Sequence, residues 1–232
     1  MEKNKIYHKD CIDFLKEVED GSVDLILTDP PYNASNSKLE FPDKHWASVN
    51  QEWDKGFTVD FVKLAIQKLK SNGSMLIFCS YHLLKDYLNT VDIKLQQIIH
   101  WTKTNPVPSF YKVYTPNVEY ILWFVKGSPY TFNKKKAKTN VIQTKMVNNL
   151  DTTKYHPTQK PVMLMRRLVE VHSNEGELVL DCFMGSGTTA LASKQLNRSF
   201  IGCDINKEYV EIAERRLSQK TLSEVSLLSS HD

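Results

Sequence analysis

The sequence predicts an α/β fold with a mostly parallel, doubly wound sheet and an antiparallel edge, and three observations carry that prediction. Short apolar runs bounded by turn residues recur along the 232 residues, helical patterns fall between several of them, and one run leads through a Gly-rich turn into a helix. Strands alternating with helices imply parallel pairing, which places ligands at the carboxyl ends of the strands.

The runs fall at about 23–28, 74–79, 97–102, 119–125, 177–182 and 199–203. Over 58–70, Phe61, Leu64, Ala65 and Leu69 share one helical face. Pro161 suits the first turn of a helix that continues through Val162-Met163-Leu164-Met165. Asn206 is a fitting N-cap for a helix burying Tyr209, Ile212, Ala213 and Leu217. The length suits one catalytic domain, 1–232. The polar stretch 33–57, with Phe41, His45, Trp46 and Trp53, is long for an internal connection and reads as a mobile loop over a substrate. The tail 220–232 reads as frayed.

Four scattered cysteines, with no Cys-x-x-Cys pair and no His at zinc spacing, predict reduced thiols, a cytoplasmic setting and no metal. No stretch approaches the roughly 18 apolar residues of a membrane span, and no leader-like apolar segment follows Met1. The net charge of +3 hides an asymmetry. Residues 101–160 hold ten lysines against Glu119 and Asp151 alone, a charge of +8, so the rest of the chain carries −5. Aromatics interleave with these lysines, and the segment 103–155 is therefore the expected surface for nucleic-acid phosphates. A solvated lysine-rich loop is the plainer alternative.

Directly after the first strong strand come Asp29, Pro30, Pro31 and Tyr32. The prolines have fixed φ, lack N–H groups and push their predecessors toward extended backbone, so a carboxylate and a carbonyl can both accept from an amino group. Tyr32 can stack on the ring that carries that amine. An ordinary Pro-rich turn would look similar in isolation.

Leu178-Val179-Leu180-Asp181-Cys182-Phe183-Met184-Gly185-Ser186-Gly187-Thr188 reads as a strand, a Gly-rich turn and a helix start. Asp204 ends the next strand, 17 residues after Gly187, where an acid can hold two ribose hydroxyls. A dinucleotide-dependent oxidoreductase shows nearly this pattern. Against it, Asp181 would repel a pyrophosphate, and too little chain follows the turn for a dinucleotide fold running forward. Lys160, in His156-Pro157-Thr158-Gln159-Lys160-Pro161, offers a cation for a carboxylate.

The order Asp-Pro-Pro-Tyr (29–32), basic segment, His-Pro-Thr-Gln-Lys-Pro (156–161), Phe-Met-Gly-Ser-Gly-Thr (183–188) resembles the β-class amino-methyltransferases of bacterial restriction-modification systems, over roughly residues 6–217. The resemblance implies a Rossmann-like methyltransferase sheet with permuted motif order, S-adenosylmethionine as donor, and N6 of an adenine flipped out of duplex DNA as acceptor. Cytosine N4 and RNA amines remain as alternative acceptors, and a catalytically silent DNA-binding module as an alternative of another class. The resemblance gives Asp29, Pro30, Pro31 and Tyr32 the catalytic part. It sets Gly185, Ser186, Gly187 and Thr188 against the methionine moiety, with Asp181 nearby, Phe183 packing on the ligand, Lys160 at the carboxylate and Asp204 at the ribose. Asp10 and Cys11 would border the adenine of the donor, unless Asp10 simply caps the next helix. Lys103 and Asn105 resemble a segment near the target pocket, while Lys134, Lys135, Lys136 and Lys138 would track DNA phosphates. Family members are often dimers or work beside a partner subunit or a cognate endonuclease.

Overall fold

The computed structural model describes residues 1–32, 58–109, 112–147, 151 and 154–219. The predicted loop 33–57 and tail 220–232 lie outside the described residues. Eight strands form one sheet in the order β1-β8-β7-β2-β3-β5-β4-β6. Their ranges are β1 Lys5–His8, β2 Val23–Thr28, β3 Leu69–Cys79, β4 Lys94–Lys103, β5 Val118–Val125, β6 Val141–Thr144, β7 Leu178–Asp181 and β8 Ser199–Asp204. Between them lie α1 Cys11–Glu17, α2 Phe61–Lys68, α3 Leu84–Thr90, α4 Val162–His172 and α5 Thr188–Gln195, and α6 Lys207–Ser218 follows the last strand.

Strand β5 runs antiparallel to both β3 and β4, and every other pair is parallel. The antiparallel portion expected at an edge therefore sits two strands in, with β4 and the short β6 outside it. On one side of β2 lie β3, β5, β4 and β6, with β5 inserted between β3 and β4, and the chain then returns to lay β7 and β8 on the other side of β2. Neighbouring strands β2 and β7 thus connect onward in opposite directions, which opens a crevice at their carboxyl ends.

Side-chain alternation sorts the core into two faces. Met75, Ile77 and Cys79 of β3, with Leu122 and Phe124 of β5, pack with Phe14, Phe61, Val62 and Tyr87 from α1, α2 and α3. Leu76, Phe78, Ile121 and Trp123 face Leu164, Leu168 and Val169 of α4 on the other side. Helix α6 and the start of α5 cover Ile6 and Phe200 through Val210, Ala213 and Ala190. Among the described residues no helix is long and apolar enough to cross a membrane.

The predicted helix over 58–70 stops at Lys68, because Leu69 turns extended (ψ 136°) to pair with Val23. Asn206 caps α6 as expected, its side chain accepting from Glu208 N at 2.9 Å. Pro161 is the N-cap of α4 rather than a first-turn residue. Strands β1 and β6 are absent from the sequence reading for one reason. Each is an outer strand of four residues with a single buried side chain, Ile6 or Ile142, so no period of two can register.

Candidate active site

The carboxyl ends of β1, β2, β3, β4, β7 and β8, together with the start of β5, gather at one edge of the sheet. Asp29 follows β2 there, and Glu119 meets it from β5, whose reversed direction brings its first residues to this edge. Lys103 ends β4, and Lys160 enters from the segment leading into α4. Four charged side chains from distant parts of the chain thus meet in a largely buried cluster.

The contacts are short and specific. Lys160 Nζ lies 2.6 Å from Asp29 Oδ2 and 3.3 Å from Glu119 Oε2, and Lys103 Nζ lies 2.6 Å from Glu119 Oε1. The Tyr32 hydroxyl lies 2.8 Å from Asp29 Oδ1 and 2.9 Å from Glu119 Oε2. Lys160 is 6% exposed and sits over the rings of Tyr32, Phe78 and Trp101, at 5.2, 5.0 and 5.8 Å from their centroids. Two ammonium groups and two carboxylates balance, and this pairing is what permits burial.

The two acids are not equivalent. Burial pushes Asp29 upward, the Lys160 ammonium opposes this, and the net effect is a carboxyl raised above its usual range. Burial also pushes Glu119 upward, but Lys160 and Lys103 together outweigh it and bring Glu119 down to about 2. Burial alone would lower Lys160, yet Asp29 and Glu119 hold it above its ordinary value. Glu119 is the firm anion of the cluster and Asp29 the tunable one.

One residue back along β2, Thr28 Oγ1 donates to Asp181 Oδ1 at 2.7 Å, tying this pocket to the Gly-rich turn. Asp181 also accepts from Thr189 Oγ1 at 2.6 Å and Phe183 N at 3.0 Å, and burial raises it to about 6. It is 2% exposed, so it braces the turn from beneath instead of presenting a charge to a ligand's amino group. Gly185 and Gly187 take φ of +50° and +80°, and a Cβ on Gly187 would lie 2.7 Å from the Ala213 Cβ. Both conditions demand glycine there.

The hydroxyls of Ser186 and Thr188 turn inward. Ser186 Oγ donates to Gln159 Oε1 at 3.1 Å, and Arg216 Nη1 donates to the Ser186 carbonyl, to Ser186 Oγ at 3.0 Å and to Thr188 Oγ1 at 3.4 Å. What the turn presents outward is backbone, the half-buried Phe183 ring and Asp204. Asp204 Oδ2 accepts from Gly185 N at 2.7 Å and Oδ1 from Asn206 N at 2.9 Å, leaving a lone pair on each oxygen for a hydroxyl. Asp10 caps α1 by accepting from Ile12 N at 2.8 Å, the plainer of its two sequence readings. Neighbouring Cys11 is half-buried, its thiol pushed up to about 12 by burial and by Asp10. A partly exposed carboxylate, a half-buried aromatic ring and an open glycine turn fit a ribose and an adenine, so these residues fit S-adenosylmethionine.

Three residues make contacts within the protein at this edge. Lys160, expected at the donor's carboxylate, spends its ammonium on Asp29 and Glu119 because those anions offset its burial. Lys103, expected near the target pocket, lies in the cluster of Asp29 and Glu119 and pairs with Glu119 at 2.6 Å. Asn105 clamps the backbone of Met146, accepting from its N at 2.7 Å and donating to its carbonyl at 3.3 Å.

Lys134, Lys135, Lys136 and Lys138 are exposed, and the first three lie at the opposite edge of the sheet. They follow β5, whose antiparallel course carries the chain from Glu119 at the reacting edge to Val125 opposite Ser74. Six residue steps of about 3.3 Å separate these ends by about 20 Å. Asn133 N donates to the Val171 carbonyl near the end of α4, and Lys136 pairs with Glu170 at 3.0 Å. Lys134, Lys135 and Lys136 line a depression with Asn174 and Arg198, remote from Asp29.

Glu119 has no role in the sequence reading beyond the charge count. Its signal was its isolation: an acid amid lysines at the head of the apolar run 120–125. Arg216 carries a fainter one, a cation whose helical position faces inward.

A family model described as DNA methylase matches residues 23–215. The Type II methyltransferase M2.MboI of Moraxella bovis is 36% identical, covering 93% of this chain and 88% of its own length. The M1.HpyAVI–SAM complex superposes with a TM-score of 0.68 at 33% identity, over 91% of this chain and 98% of that one. The PvuII cytosine-N4-specific DNA methyltransferase gives a TM-score of 0.74 at 21% identity, over 97% and 89% of the two chains, a likeness of fold.

Proposed function

Because this chain belongs to the DNA methylase family and takes S-adenosylmethionine as its donor, we propose that it methylates N6 of an adenine flipped out of duplex DNA. The observation that supports the reading best is Asp29, a half-buried carboxylate after β2 with Pro30, Pro31 and Tyr32 behind it, one residue from the Thr28–Asp181 link to the cofactor turn. An aspartate in the first motif position leans toward adenine rather than cytosine.

A bound S-adenosylmethionine supplies an electrophilic methyl group. The chain must make the acceptor nitrogen reactive, because the N6 lone pair is delocalised into the purine ring. Asp29 and the Pro30 carbonyl accept the two N6 hydrogens, which draws the nitrogen toward tetrahedral geometry and frees the lone pair. Tyr32 supplies the stacking face that holds the extruded base. Asp29 need not remove a proton in advance, since the amine becomes acidic once methylated. Most of the rate then comes from positioning and electrostatics.

The DNA-facing surface in this proposal is the loop between β4 and β5 rather than the lysines at 134–138. That loop leaves the reacting edge at Lys103, returns to it at Val118, and exposes Lys112, Val113 and Tyr114. The test is direct. Protein incubated with methyl-labelled S-adenosylmethionine and unmethylated duplex DNA should yield labelled N6-methyladenine after hydrolysis. Labelled N4-methylcytosine would overturn the adenine assignment, and no label in DNA would overturn the function.

A further inference from the structure

Both oxygens of Asp29 are engaged: Oδ2 by the Lys160 ammonium at 2.6 Å and Oδ1 by the Tyr32 hydroxyl at 2.8 Å. Each oxygen keeps a second lone pair, so an acceptor amine either takes that lone pair or displaces a partner, and displacement is the costly case. A buried ammonium released without a new anion would carry a large penalty, and so would an orphaned phenol. The second carboxylate solves this problem.

Glu119 Oε2 already lies 3.3 Å from Lys160 Nζ and 2.9 Å from the Tyr32 hydroxyl, so both displaced groups reach it without backbone movement. The phenol has one proton and makes a full hydrogen bond to only one carboxylate at a time. Glu119 Oε1 is held by Lys103 at 2.6 Å, which fixes the side chain and leaves Oε2 as the shared acceptor. Its backbone is fixed as well, by pairing opposite Trp101.

We infer that Glu119 is a positioning residue that takes over the Lys160 ammonium and the Tyr32 hydroxyl when Asp29 turns to the acceptor amine. This rests on the proposed amine chemistry at Asp29. Without DNA the four charges lock Asp29, and with DNA the lock moves to Glu119. The cost of freeing the catalytic carboxylate is thereby small. The negative charge of Glu119 also holds Asp29 at a higher pKa than Lys160 alone would allow.

Glu119→Gln keeps the shape and removes the charge. With PCR-amplified, unmethylated duplex DNA as acceptor, its kcat should fall at least thirtyfold, while KM for DNA and for S-adenosylmethionine stay within threefold. The acid limb of its kcat–pH profile should move at least half a unit downward, because Asp29 then faces cations alone. Glu119→Asp, which keeps the charge but draws it back from Lys160 and Tyr32, should recover at least fivefold over the Gln variant and stay at least fivefold below wild type. Wild-type kcat in Glu119→Gln, or a loss of kcat matched by a loss of donor affinity, would overturn the assignment. Should the Gln variant fail to fold, the Asp variant decides: a fivefold or greater kcat loss with donor affinity kept supports the handover, and an unchanged kcat ends it. Absence of transfer by the wild-type protein is a separate outcome, and refutes the reaction on which the handover rests.

Discussion

Replacing Lys160 with Met should destabilise this protein more than removing Asp29, although the two form one 2.6 Å ion pair. Lys160→Met leaves Asp29 and Glu119 sharing one ammonium, that of Lys103, with side chains only 18% and 15% exposed. An uncompensated buried charge costs about 3–5 kcal/mol. Asp29→Ala, by contrast, leaves Lys160 with Glu119 at 3.3 Å, an attraction of ~5 kcal/mol at an effective dielectric constant near 20. Its cost should stay near that of a lost hydrogen bond to a charged group, about 1.5–3 kcal/mol. At about 2–4 °C per kcal/mol, Lys160→Met should melt roughly 6–20 °C below wild type and Asp29→Ala no more than about 12 °C below, always the smaller drop of the two. The pH dependence has a fixed sign. Without Lys160 the native carboxylates titrate above their unfolded values, so the native state of the variant binds protons first and its deficit shrinks as pH falls. Scanning calorimetry at pH 8 and pH 5 measures both effects. A larger drop for Asp29→Ala, or a Lys160→Met deficit that grows at pH 5, would refute the charge balance drawn for this pocket.

Asp29→Ala should also lower methyl transfer to DNA by at least about a thousandfold, some 4 kcal/mol of transition-state stabilisation, while donor binding by calorimetry persists. Near-normal transfer would exclude Asp29 as the amine acceptor. Gly187→Ala should cost about 2 kcal/mol or more and weaken donor binding, since φ +80° and the 2.7 Å approach to Ala213 both resist a side chain; a chemical melt and a donor titration check it. Alanine at Lys134, Lys135 and Lys136 together should change DNA affinity less than twofold, whereas Lys112→Ala with Tyr114→Ala should weaken it at least fivefold in a gel-shift assay. His172 is buried against Trp123 and held down to about 3 by that burial. The unfolded chain accepts a proton below about pH 6.5 that the native chain refuses, so this contribution is whole above pH 6.5. It then falls by ~1.4 kcal/mol per unit toward pH 3. Denaturant melts at pH 8 and pH 5 should show a smaller acid loss for His172→Phe than for wild type.

Much of this molecule was legible in one dimension because the informative residues are contiguous or locally periodic. Strands β2, β3, β5, β7 and β8 are buried over most of their length on both faces, so they stand out as apolar runs. Asp29 to Tyr32 and Phe183 to Thr188 are short motifs whose backbone chemistry needs no distant partner to be read. Their order, with the amine-holding turn first, already required the N-terminal half of the chain to complete the sheet. Tertiary structure decided everything that depends on strand direction and on charges meeting from afar. The reversed course of β5 brings Glu119 to the reacting edge and carries Lys134 to Lys136 away from it, and no local pattern encodes that reversal. Lys160 looks from sequence like a cation awaiting a ligand's carboxylate. It finds two carboxylates of its own chain, because a buried ammonium is stable only where the fold delivers anions from β2 and β5 to the same few ångströms.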